Sequence, residues 1–388
     1  MSHRPCAIVG VGQTHHKSRR LDVSYGGLVR EAVFRALDDA HMTLDDIDAV
    51  VVGKAPDLFE GVMKPELYLS DALGATGKPC LRVHTAGSVG ATTGIVAASH
   101  VSVGKHDRVL AVAFEKQSEG NAQFALGSGR GASLGAGGAF APYIKSYIHR
   151  TGAPEHIGWL VAVKDRQNAL KNPFAHLKIQ DISLEKVKSS PMLWEPLRYL
   201  ESCPSSDGAC AIIIGNEEVA NAAAADGRPP AWILGTSSRS EPSSFPGRDP
   251  VRPQACVQAT QDVYKQAGIT DPRRQIDVAE LYVPFSWYEA IWLEGHDIAE
   301  PGEGWRMIDS GETALTGSFP VNPSGGVLSS NPIGASGLLR VAEAANQVRG
   351  LAGEHQVDGA KVALGMAYGA ANQYFSLALL GSSLHPFD

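Results

Sequence analysis

The segment with the clearest chemical potential is residues 320–337, which is rich in Gly, Pro and Ser and contains the amide side chain of Asn331. Gly adopts positive φ at little cost and Pro332 fixes one backbone angle, so the segment is expected to form a shaped loop. Residues 338–348 then have the apolar spacing of an amphipathic helix. A Gly-rich turn before a helix N-terminus can hold an oxyanion, a phosphate or an enolate. A tight turn without a ligand is the alternative interpretation.

Four other side chains are candidates for proton transfer or nucleophilic attack. Tyr282 ends an apolar run, but a phenol with a reference pKa of about 10 needs a neighbouring donor or cation to act as a base. His84 could be a base, and Ser88 would need an adjacent base to become a nucleophile. Tyr368 is a further candidate. Each also has a simpler interpretation as a core aromatic residue, a structural His or a turn residue, and Asn331 could equally stabilise its own turn.

Composition narrows the class of protein. The chain has 388 residues, 44% of them apolar, and a formal net charge of −7, so it can bury a large core and lacks the clustered basic charge typical of nucleic-acid binding. No apolar run approaches the roughly 20 residues that span a bilayer. We expect a cytoplasmic protein without a metal site, because its five cysteines are odd in number and lack metal-ligand spacing. These reduced, mostly structural thiols are Cys6, Cys80, Cys203, Cys210 and Cys256.

The elements that would position these side chains form an internal repeat. In the N-terminal half the sequence predicts a strand at 6–11, a helix at 28–40, an Ile-Asp turn at 47–48 and a strand at 49–53. The helix, the Ile-Asp pair and the strand that follows occur again in the C-terminal half. There they lie at 257–267, 276–277 and 276–282. The next elements of the N-terminal half are a strand at 82–84, a small-residue turn, a helix to 103 and a strand at 108–113. In the C-terminal half, Val321 with its Gly-rich turn corresponds to the first strand and turn, the helix from 338 to the helix, and strand 361–365 to the last strand. Such self-similarity indicates a duplicated αβ unit with mostly parallel sheets covered on both faces.

The repeat divides the chain into an N-terminal half, 1–235, and a C-terminal half, 236–388. The N-terminal half contains a loop insertion at about 115–200, Gly-rich at 127–138 and helical around 157–169. We expect this insertion to carry substrate contacts, since binding groups often lie on loops held by a rigid scaffold. A buried strand is predicted at 201–214 and a linker at 241–253.

Four motifs resemble those of the thiolase superfamily. N-P-S-G-G at 322–326 and N-P-I-G-A-S-G at 331–337 resemble the family's N-x-x-G-G and H-P-x-G-A-S-G. V-H-T-A-G-S-V-G at 83–90 resembles the nucleophile turn V-x-x-x-C-x-x-G, S-D-G-A at 206–209 resembles D-G-A-A, and E-L-Y-V-P-F at 280–285 resembles E-L-N-E-A-F. The motifs occur in the family's order along the whole chain. The resemblance implies an α/β thiolase-like fold, with duplicated βαβαβαββ halves in a five-layered αβαβα arrangement.

The catalytic side chains of the family are replaced. Gly87 stands at the position of the nucleophilic Cys, Asn331 at the His and Tyr282 at the Asn. In G-M-A-Y-G-A at 365–370, which resembles C-x-G-G-G, Ala367 replaces the second Cys. The backbone turns that form oxyanion holes in the family are retained at Gly87 and Gly369. By the same resemblance, the substrate-binding loop contributes Ser330, Gly334 and Ala335.

This combination resembles the lipid-transfer-protein thiolase-like aldolases of bacterial steroid side-chain degradation, related to the thiolase of sterol carrier protein. The resemblance implies retro-aldol cleavage of a β-hydroxyacyl-CoA through a thioester enolate, with Tyr282 and Asn331 catalytic. The CoA thioester is the substrate, and no covalently bound cofactor is expected. A second Tyr occupies the position of Asn331 in that branch, so the second role differs here.

The resemblance also implies partners. Thiolase-like chains dimerise through the strand before the nucleophile turn, here 81–85, so a homodimer or a heteromer with a homologous chain is expected. The aldolase branch works with a small OB-fold protein that often carries a zinc ribbon. Two other functions stay open: a non-catalytic acyl-CoA-binding subunit, and residual thiolase-type acyl transfer with Ser88 or a distant Cys as nucleophile.

Overall fold

The computed structural model describes residues 4–55, 64–120, 135–243 and 247–387. Its strands are β1 (Cys6–Gln13), β2 (Ala49–Lys54), β3 (Cys80–Val83), β4 (Arg108–Lys116), β5 (Met192–Trp194), β6 (Leu197–Arg198), β7 (Asp207–Asn216), β8 (Ala231–Ser240), β9 (Val278–Glu280), β10 (Val362–Gly369) and β11 (Tyr374–Gly381).

The longer helices of the described part are α1 (Tyr25–Ala40), α3 (Val89–Ser102), α4 (Gly135–Thr151), α5 (His156–Lys171), α7 (Glu217–Ala225), α8 (Gln254–Ala267), α10 (Tyr288–Gly295) and α13 (Ile333–Arg349). The shorter ones are α2 (Pro65–Tyr68), α6 (Leu184–Lys188), α9 (Pro272–Gln275), α11 (Gly304–Asp309) and α12 (Gly326–Ser329). No helix in these ranges has the length and apolar content that crossing a membrane requires.

The main sheet confirms the internal repeat. Its strand order is β3-β2-β4-β7-β1-β8-β11-β10-β9 within the described residues, with β1 and β8 joined antiparallel at Ala7 and Ile8. Read outward from that junction, β1-β7-β4-β2 and β8-β11-β10-β9 follow the same plan. In both halves the outer pair is parallel and the inner pairs are antiparallel. The two halves are therefore copies of one topology.

The prediction of mostly parallel sheets was wrong. Only β2–β3, β2–β4 and β9–β10 are parallel among the described pairs of the main sheet, and the other pairs are antiparallel. The reason lies in the connections: helical crossovers return strands parallel, whereas β10 and β11 are joined by a short turn that reverses the chain. Strand patterning predicts which residues are buried but does not determine this direction.

The helices cover both faces of the strands of each half, and this gives a five-layered arrangement. α3 and α13 pack against each other and against strands of both halves, so they form the central layer. α1 covers the outer face of β1 and β7, and α8 covers β8 and β11. Successive side chains alternate accordingly, with Ile8 in the central core and Ala7 and Val9 in the core under α1.

Some predicted boundaries differ from the structure. β7 begins at Asp207, because residues 199–206 form a 3-10 turn and a loop. Val321 makes only an isolated bridge to Ala279 where the repeat predicts a strand like β3. The segment 127–138 is predicted to be a Gly-rich loop. Residues 127–134 lie outside the described residues, and residues 135–138 form the first turn of α4. The division at 235/236 falls within β8 and stays a prediction.

Candidate active site

A cavity of about 770 Å³ brings the repeat and the insertion together. Its wall includes Gly87 from the turn before α3, Gly369 from the end of β10, and residues of the segment 176–205. The polar side chains on this wall include Tyr282, Asn331, Cys203, Tyr368, His176 and Arg166. Most of the remaining lining is apolar, including Phe140, Trp194, Leu177, Ile179, Leu193 and Phe285. The insertion thus supplies much of the wall, as the sequence predicts for a substrate-contacting loop.

A buried ion pair holds the Gly-rich loop in place. Glu280 at the end of β9 forms an ion pair with Arg340 of α13, and both side chains are almost fully buried. The same carboxylate accepts hydrogen bonds from the Ser324 backbone N–H at 3.0 Å and from its Oγ at 2.8 Å. The Glu of the E-L-Y motif therefore joins β9, the Gly-rich loop at Ser324 and α13.

Asp207 explains the D-G-A motif in structural terms. Its carboxylate accepts hydrogen bonds from the backbone N–H groups of Arg20 and Ser118, each at 2.8 Å, and from Ser118 Oγ at 2.5 Å. The neighbouring Ser206 Oγ accepts a hydrogen bond from the Asn331 backbone N–H at 3.1 Å. The motif thus anchors several loops around the cavity, and Asp207 is not among the residues that line it.

Tyr282 and Asn331, predicted from distant motifs, meet at the cavity. The Tyr282 hydroxyl donates to Asn331 Oδ1 at 3.2 Å, and the Ser336 hydroxyl donates to the same oxygen at 2.8 Å. In this orientation of the amide, Oδ1 can accept from both hydroxyls, and the Ser336 hydroxyl also lies 3.1 Å from the Pro332 carbonyl oxygen. Asn331 Nδ2 is therefore the half that faces Cys203 Sγ, at 3.2 Å, and the cavity.

Burial controls the protonation of the two ionisable groups nearest Asn331. It raises the pKa of Tyr282 well above its ordinary value and the pKa of the Cys203 thiol to about 11. No described lysine or arginine donates a hydrogen bond to the Tyr282 oxygen. Tyr282 therefore stays a phenol at neutral pH and cannot act as a resting tyrosinate base.

The two turns expected to form oxyanion holes touch each other. A Cβ at Gly369 would lie 2.4 Å from the Gly87 nitrogen and 2.6 Å from the Ser88 nitrogen, so only Gly allows this approach. A Cβ at Gly87 would lie 3.0 Å from the Tyr368 carbonyl oxygen and 3.9 Å from the Tyr282 hydroxyl. The place of the family's nucleophile is thus beside Tyr282 and carries no side chain.

Tyr368 lies in an aromatic wall of the cavity. Its ring packs edge-on against Tyr282 at 5.4 Å between centroids and stacks with Tyr288 at 5.5 Å. The side chain is buried, yet its hydroxyl has no hydrogen-bond partner among the described residues. A buried hydroxyl without a partner is costly, so it is a ready donor for a ligand in the cavity.

The remaining predicted site residues do not line the cavity. His84 directly follows β3 and is exposed. The buried Ser88 hydroxyl donates a hydrogen bond to the Thr85 carbonyl at 2.7 Å. Ser330 Oγ accepts from the His176 backbone N–H, while a Cβ at Gly334 would lie 2.4 Å from the Phe114 carbonyl. Ala335 is fully buried in α13. Direct contact of these five residues with substrate stays a prediction: Ser88, Ser330, Gly334 and Ala335 are packed into the scaffold, whereas His84 is exposed.

Sequence reasoning missed several polar residues of the wall, among them Cys203, Arg166 and His176. The sequence predicts a structural thiol at Cys203, although its place three residues before the S-D-G-A motif is a signal that it belongs to the site. Arg166 donates to the carbonyls of Leu200 and Ser202, and its own helix position gives no local cue. His176 Nδ1 contacts Ser206 Oγ at 2.9 Å, and burial lowers the pKa of this imidazole. At neutral pH it is uncharged.

The arrangement can stabilise negative charge without forming a covalent intermediate. Asn331 Nδ2 offers an N–H donor, the Tyr368 hydroxyl offers an O–H donor, and the positions of the family's two cysteines hold Gly87 and Ala367. Donors aimed at a developing oxyanion stabilise it strongly when water is excluded. An enolate is the kind of anion that such a site can hold.

Comparison with known proteins shows the family of the chain. Residues 237–382 match the family model described as "Thiolase C-terminal domain-like". The chain is 31% identical to the acetyl-CoA acetyltransferase of Methanothermobacter thermautotrophicus, over 93% of this chain and 95% of the relative. It is 30% identical to human sterol carrier protein 2, over 92% of this chain and 68% of that protein.

A solved structure titled "Ltp2-ChsH2(DUF35) aldolase" superposes with a TM-score of 0.82 at 26% identity, covering 97% of both chains. The fold, the motifs and these similarities agree with one another. The chain belongs to the thiolase superfamily, and within it to the proteins of the sterol carrier protein 2 type.

Proposed function

We propose that this protein cleaves the bond between the α- and β-carbons of a β-hydroxyacyl-CoA by a retro-aldol reaction. The observation that carries the proposal is the meeting of the Tyr282 hydroxyl and the Asn331 amide beside Gly87, where a thiolase nucleophile would stand. Retro-aldol cleavage needs donors for a thioester enolate and a path for one proton. It does not need a covalent nucleophile.

Each side chain has a role in this reaction. Asn331 Nδ2 donates to the thioester oxygen as it becomes the enolate oxygen, while Ser336 and Tyr282 hold Oδ1 and so keep the amide oriented. Tyr282 receives the proton of the β-hydroxyl and passes its own proton on, because its raised pKa disfavours a free tyrosinate. Tyr368, whose buried hydroxyl has no hydrogen-bond partner among the described residues, is proposed to donate to an oxygen of the acyl chain.

The acyl chain is proposed to be bulky and apolar. The aromatic and aliphatic wall of the cavity, formed in part by Phe140, Trp194 and Phe285, can bury a large hydrocarbon group such as a steroid ring system. The aldolase named in the superposed structure contains a second protein, so we propose a small OB-fold partner for this chain as well. A cytoplasmic location is part of the same proposal.

The test is product analysis by mass spectrometry after mixing the purified protein, with and without its candidate partner, with a β-hydroxyacyl-CoA of a steroid side chain. A shorter acyl-CoA together with a ketone or aldehyde, formed without added CoA, is the expected result. Tyr282→Phe should then lower cleavage by about 10²- to 10⁴-fold, the usual contribution of a proton-transfer group. A conversion that requires free CoA would instead indicate thiolase-type transfer.

A second function, as a non-catalytic acyl-CoA-binding subunit, is favoured by the loss of both family cysteines at Gly87 and Ala367. It predicts binding of the CoA ester without cleavage under every condition of the same experiment. Transfer through Ser88 is less favoured, because its hydroxyl is directed at Thr85. Intact-protein mass spectrometry should accordingly detect no acyl adduct.

A further inference from the structure

Cys203 differs from the other cysteines of the described part in lining the cavity. Its sulfur accepts the hydrogen bond from Asn331 Nδ2, and it lies on the loop between the β5–β6 hairpin and β7. Its backbone N–H donates to the Pro284 carbonyl at 2.9 Å, which attaches this loop to the segment that follows Tyr282. Cys203, Asn331 and Tyr282 therefore form one connected group.

The proposed reaction leaves one proton transfer without an assigned donor. When the bond between the α- and β-carbons breaks, its electron pair becomes the thioester enolate, and the α-carbon must then take up a proton. Ala367, at the place of the second family cysteine, is fully buried and has no proton to give. Tyr282 is engaged at the β-oxygen. A further acid is needed near Asn331, where the enolate oxygen would be held.

We propose that the Cys203 thiol is this acid and protonates the α-carbon, a role that rests on the proposed retro-aldol reaction. Asn331 touches the thiol and holds the enolate oxygen with the same NH₂ group, which places sulfur and enolate side by side. The Cys203 thiol, which lies on a different loop of the fold, thus supplies the proton that Ala367 cannot supply.

The proton movements balance without any external reactant. The three transfers occur together as the bond between the α- and β-carbons breaks. The β-hydroxyl gives its proton to the Tyr282 oxygen, the Tyr282 proton passes to the Cys203 sulfur, and the thiol proton passes to the α-carbon, so neither side chain ever carries an extra proton. The C–C bond and the β-hydroxyl O–H bond are replaced by a C–H bond and the second bond of the new carbonyl, and the cysteine and tyrosine end as they began.

The surroundings of Cys203 suit an acid that is only briefly ionised. Burial keeps the thiol protonated at rest, with its pKa raised to about 11, whereas the hydrogen bond from Asn331 and the positive charge of Arg166 favour the thiolate. Arg166 also donates to the Leu200 and Ser202 carbonyls, at 3.2 and 3.1 Å, and so orders the loop that carries the thiol. A nucleophilic thiolate at rest is not expected here.

The test uses an α-methyl-β-hydroxyacyl-CoA with a bulky apolar β-substituent, cleaved in D₂O by the full-length protein with its partner. The wild type should release propionyl-CoA with one deuterium of a single configuration at the α-carbon. Cys203→Ala should lower kcat by about 10²-fold or more with little change in KM. The propionyl-CoA that it still forms should carry deuterium in both configurations, since water then protonates the enolate from either side.

Cys203→Ser is a second variant that is expected to fold even if Cys203→Ala does not. Its hydroxyl still accepts the hydrogen bond from Asn331 but is a far weaker acid than the thiol. It should show the same loss of kcat and of stereospecificity. Cys256→Ser is the matched control, a buried thiol in α8 that does not line the cavity, and it should behave as the wild type. Unchanged kcat and configuration in Cys203→Ser would overturn the role of the thiol alone. Absence of cleavage by the wild type would overturn the retro-aldol function and this role with it.

Discussion

At the scale of single residues, the site depends on the division of the Asn331 amide into two halves. Oδ1 accepts from Tyr282 and Ser336, and Nδ2 is left for Cys203 and the ligand. A turn-stabilising Asn would direct its side chain at its own backbone. This one does not, and its backbone is instead held by Ser206 and Gln117. The geometry therefore favours the functional interpretation of Asn331.

Asn331→Asp separates the two halves experimentally. The carboxylate can still accept from both hydroxyls, so the fold is expected to be retained, but the N–H donor is lost and a negative charge faces the enolate. Cleavage should fall by about 10²- to 10³-fold, as for removal of an oxyanion-hole donor. Steady-state kinetics would measure it. Asn346→Asp, on α13 and off the cavity wall, is the control, and equal rates in the two variants would contradict the donor role.

Glu201 gives a prediction about stability and pH. Its fully buried carboxylate accepts from Ser286 Oγ and the Arg198 backbone N–H, and burial raises its pKa from an ordinary value near 4.5 to about 7. A raised folded-state pKa means that the protonated group stabilises the fold below about pH 4.5, and that this stabilisation is lost as the pH rises through about 7.

Glu201→Gln should remove this dependence on pH. Relative to the wild type, the free energy of unfolding of the variant should rise by up to about 3 kcal/mol between about pH 5 and pH 8, the upper limit set by the pKa difference. Urea unfolding at the two pH values would measure it. Glu218→Gln, an exposed glutamate, should show no such change, and a parallel pH profile of Glu201→Gln and the wild type would refute the buried titration.

At the scale of elements, the ion pair between β9 and α13 organises the active-site loop. Glu280 and Arg340 are joined across the loop, and Ser324 bonds to both. Arg340→Met would leave a carboxylate buried without its partner and should lower the free energy of unfolding by about 3–5 kcal/mol. The double variant Glu280→Met with Arg340→Met should recover part of this loss. Chemical denaturation of all four proteins gives the cycle, and additive losses would show that the pair does not act as a unit.

The sequence predicted the repeated elements well but not how they are connected in space. β-branched runs such as Val50–Val52 identify buried strands, and the apolar spacing of residues 338–348 identifies most of α13, because burial and periodicity are local properties. Strand direction and the reduction of the third C-terminal strand to the Val321 bridge depend on connections and packing. Cys203 reaches Asn331 from 128 positions away, and no local pattern contains that contact.

At the scale of the whole molecule, the two halves differ at the edges of the sheet. In the C-terminal half the outer strand is replaced by the Val321 bridge, and the Gly-rich loop follows directly. In the N-terminal half β3 pairs with β2 through four residues and forms the edge of the sheet in the described chain. Leu81 on this strand and Leu67 and Tyr68 on the adjacent α2 are exposed. An edge strand beside apolar side chains is suited to pairing with another chain.

The edge formed by β3 leads to the prediction that the protein is a dimer held through residues 81–85. Pairing of two copies of β3 would cover the exposed Leu81 and continue the sheet from one subunit to the next. It would also order the turn at 85–90, which contributes Gly87 to the cavity wall. Sedimentation velocity should therefore give a dimer for the wild type. Arg82→Pro should shift it to monomer, because proline removes a backbone donor from the edge strand.

Leu351→Asp, an exposed leucine after α13, is the control and should remain dimeric. If the variant Arg82→Pro is monomeric and also loses cleavage while Leu351→Asp does not, assembly and catalysis are coupled through the turn that contains Gly87. A wild type that sediments as a monomer, alone and with its partner, would show that this edge is used differently from the family plan. The open edge would then be the surface to examine for the OB-fold partner.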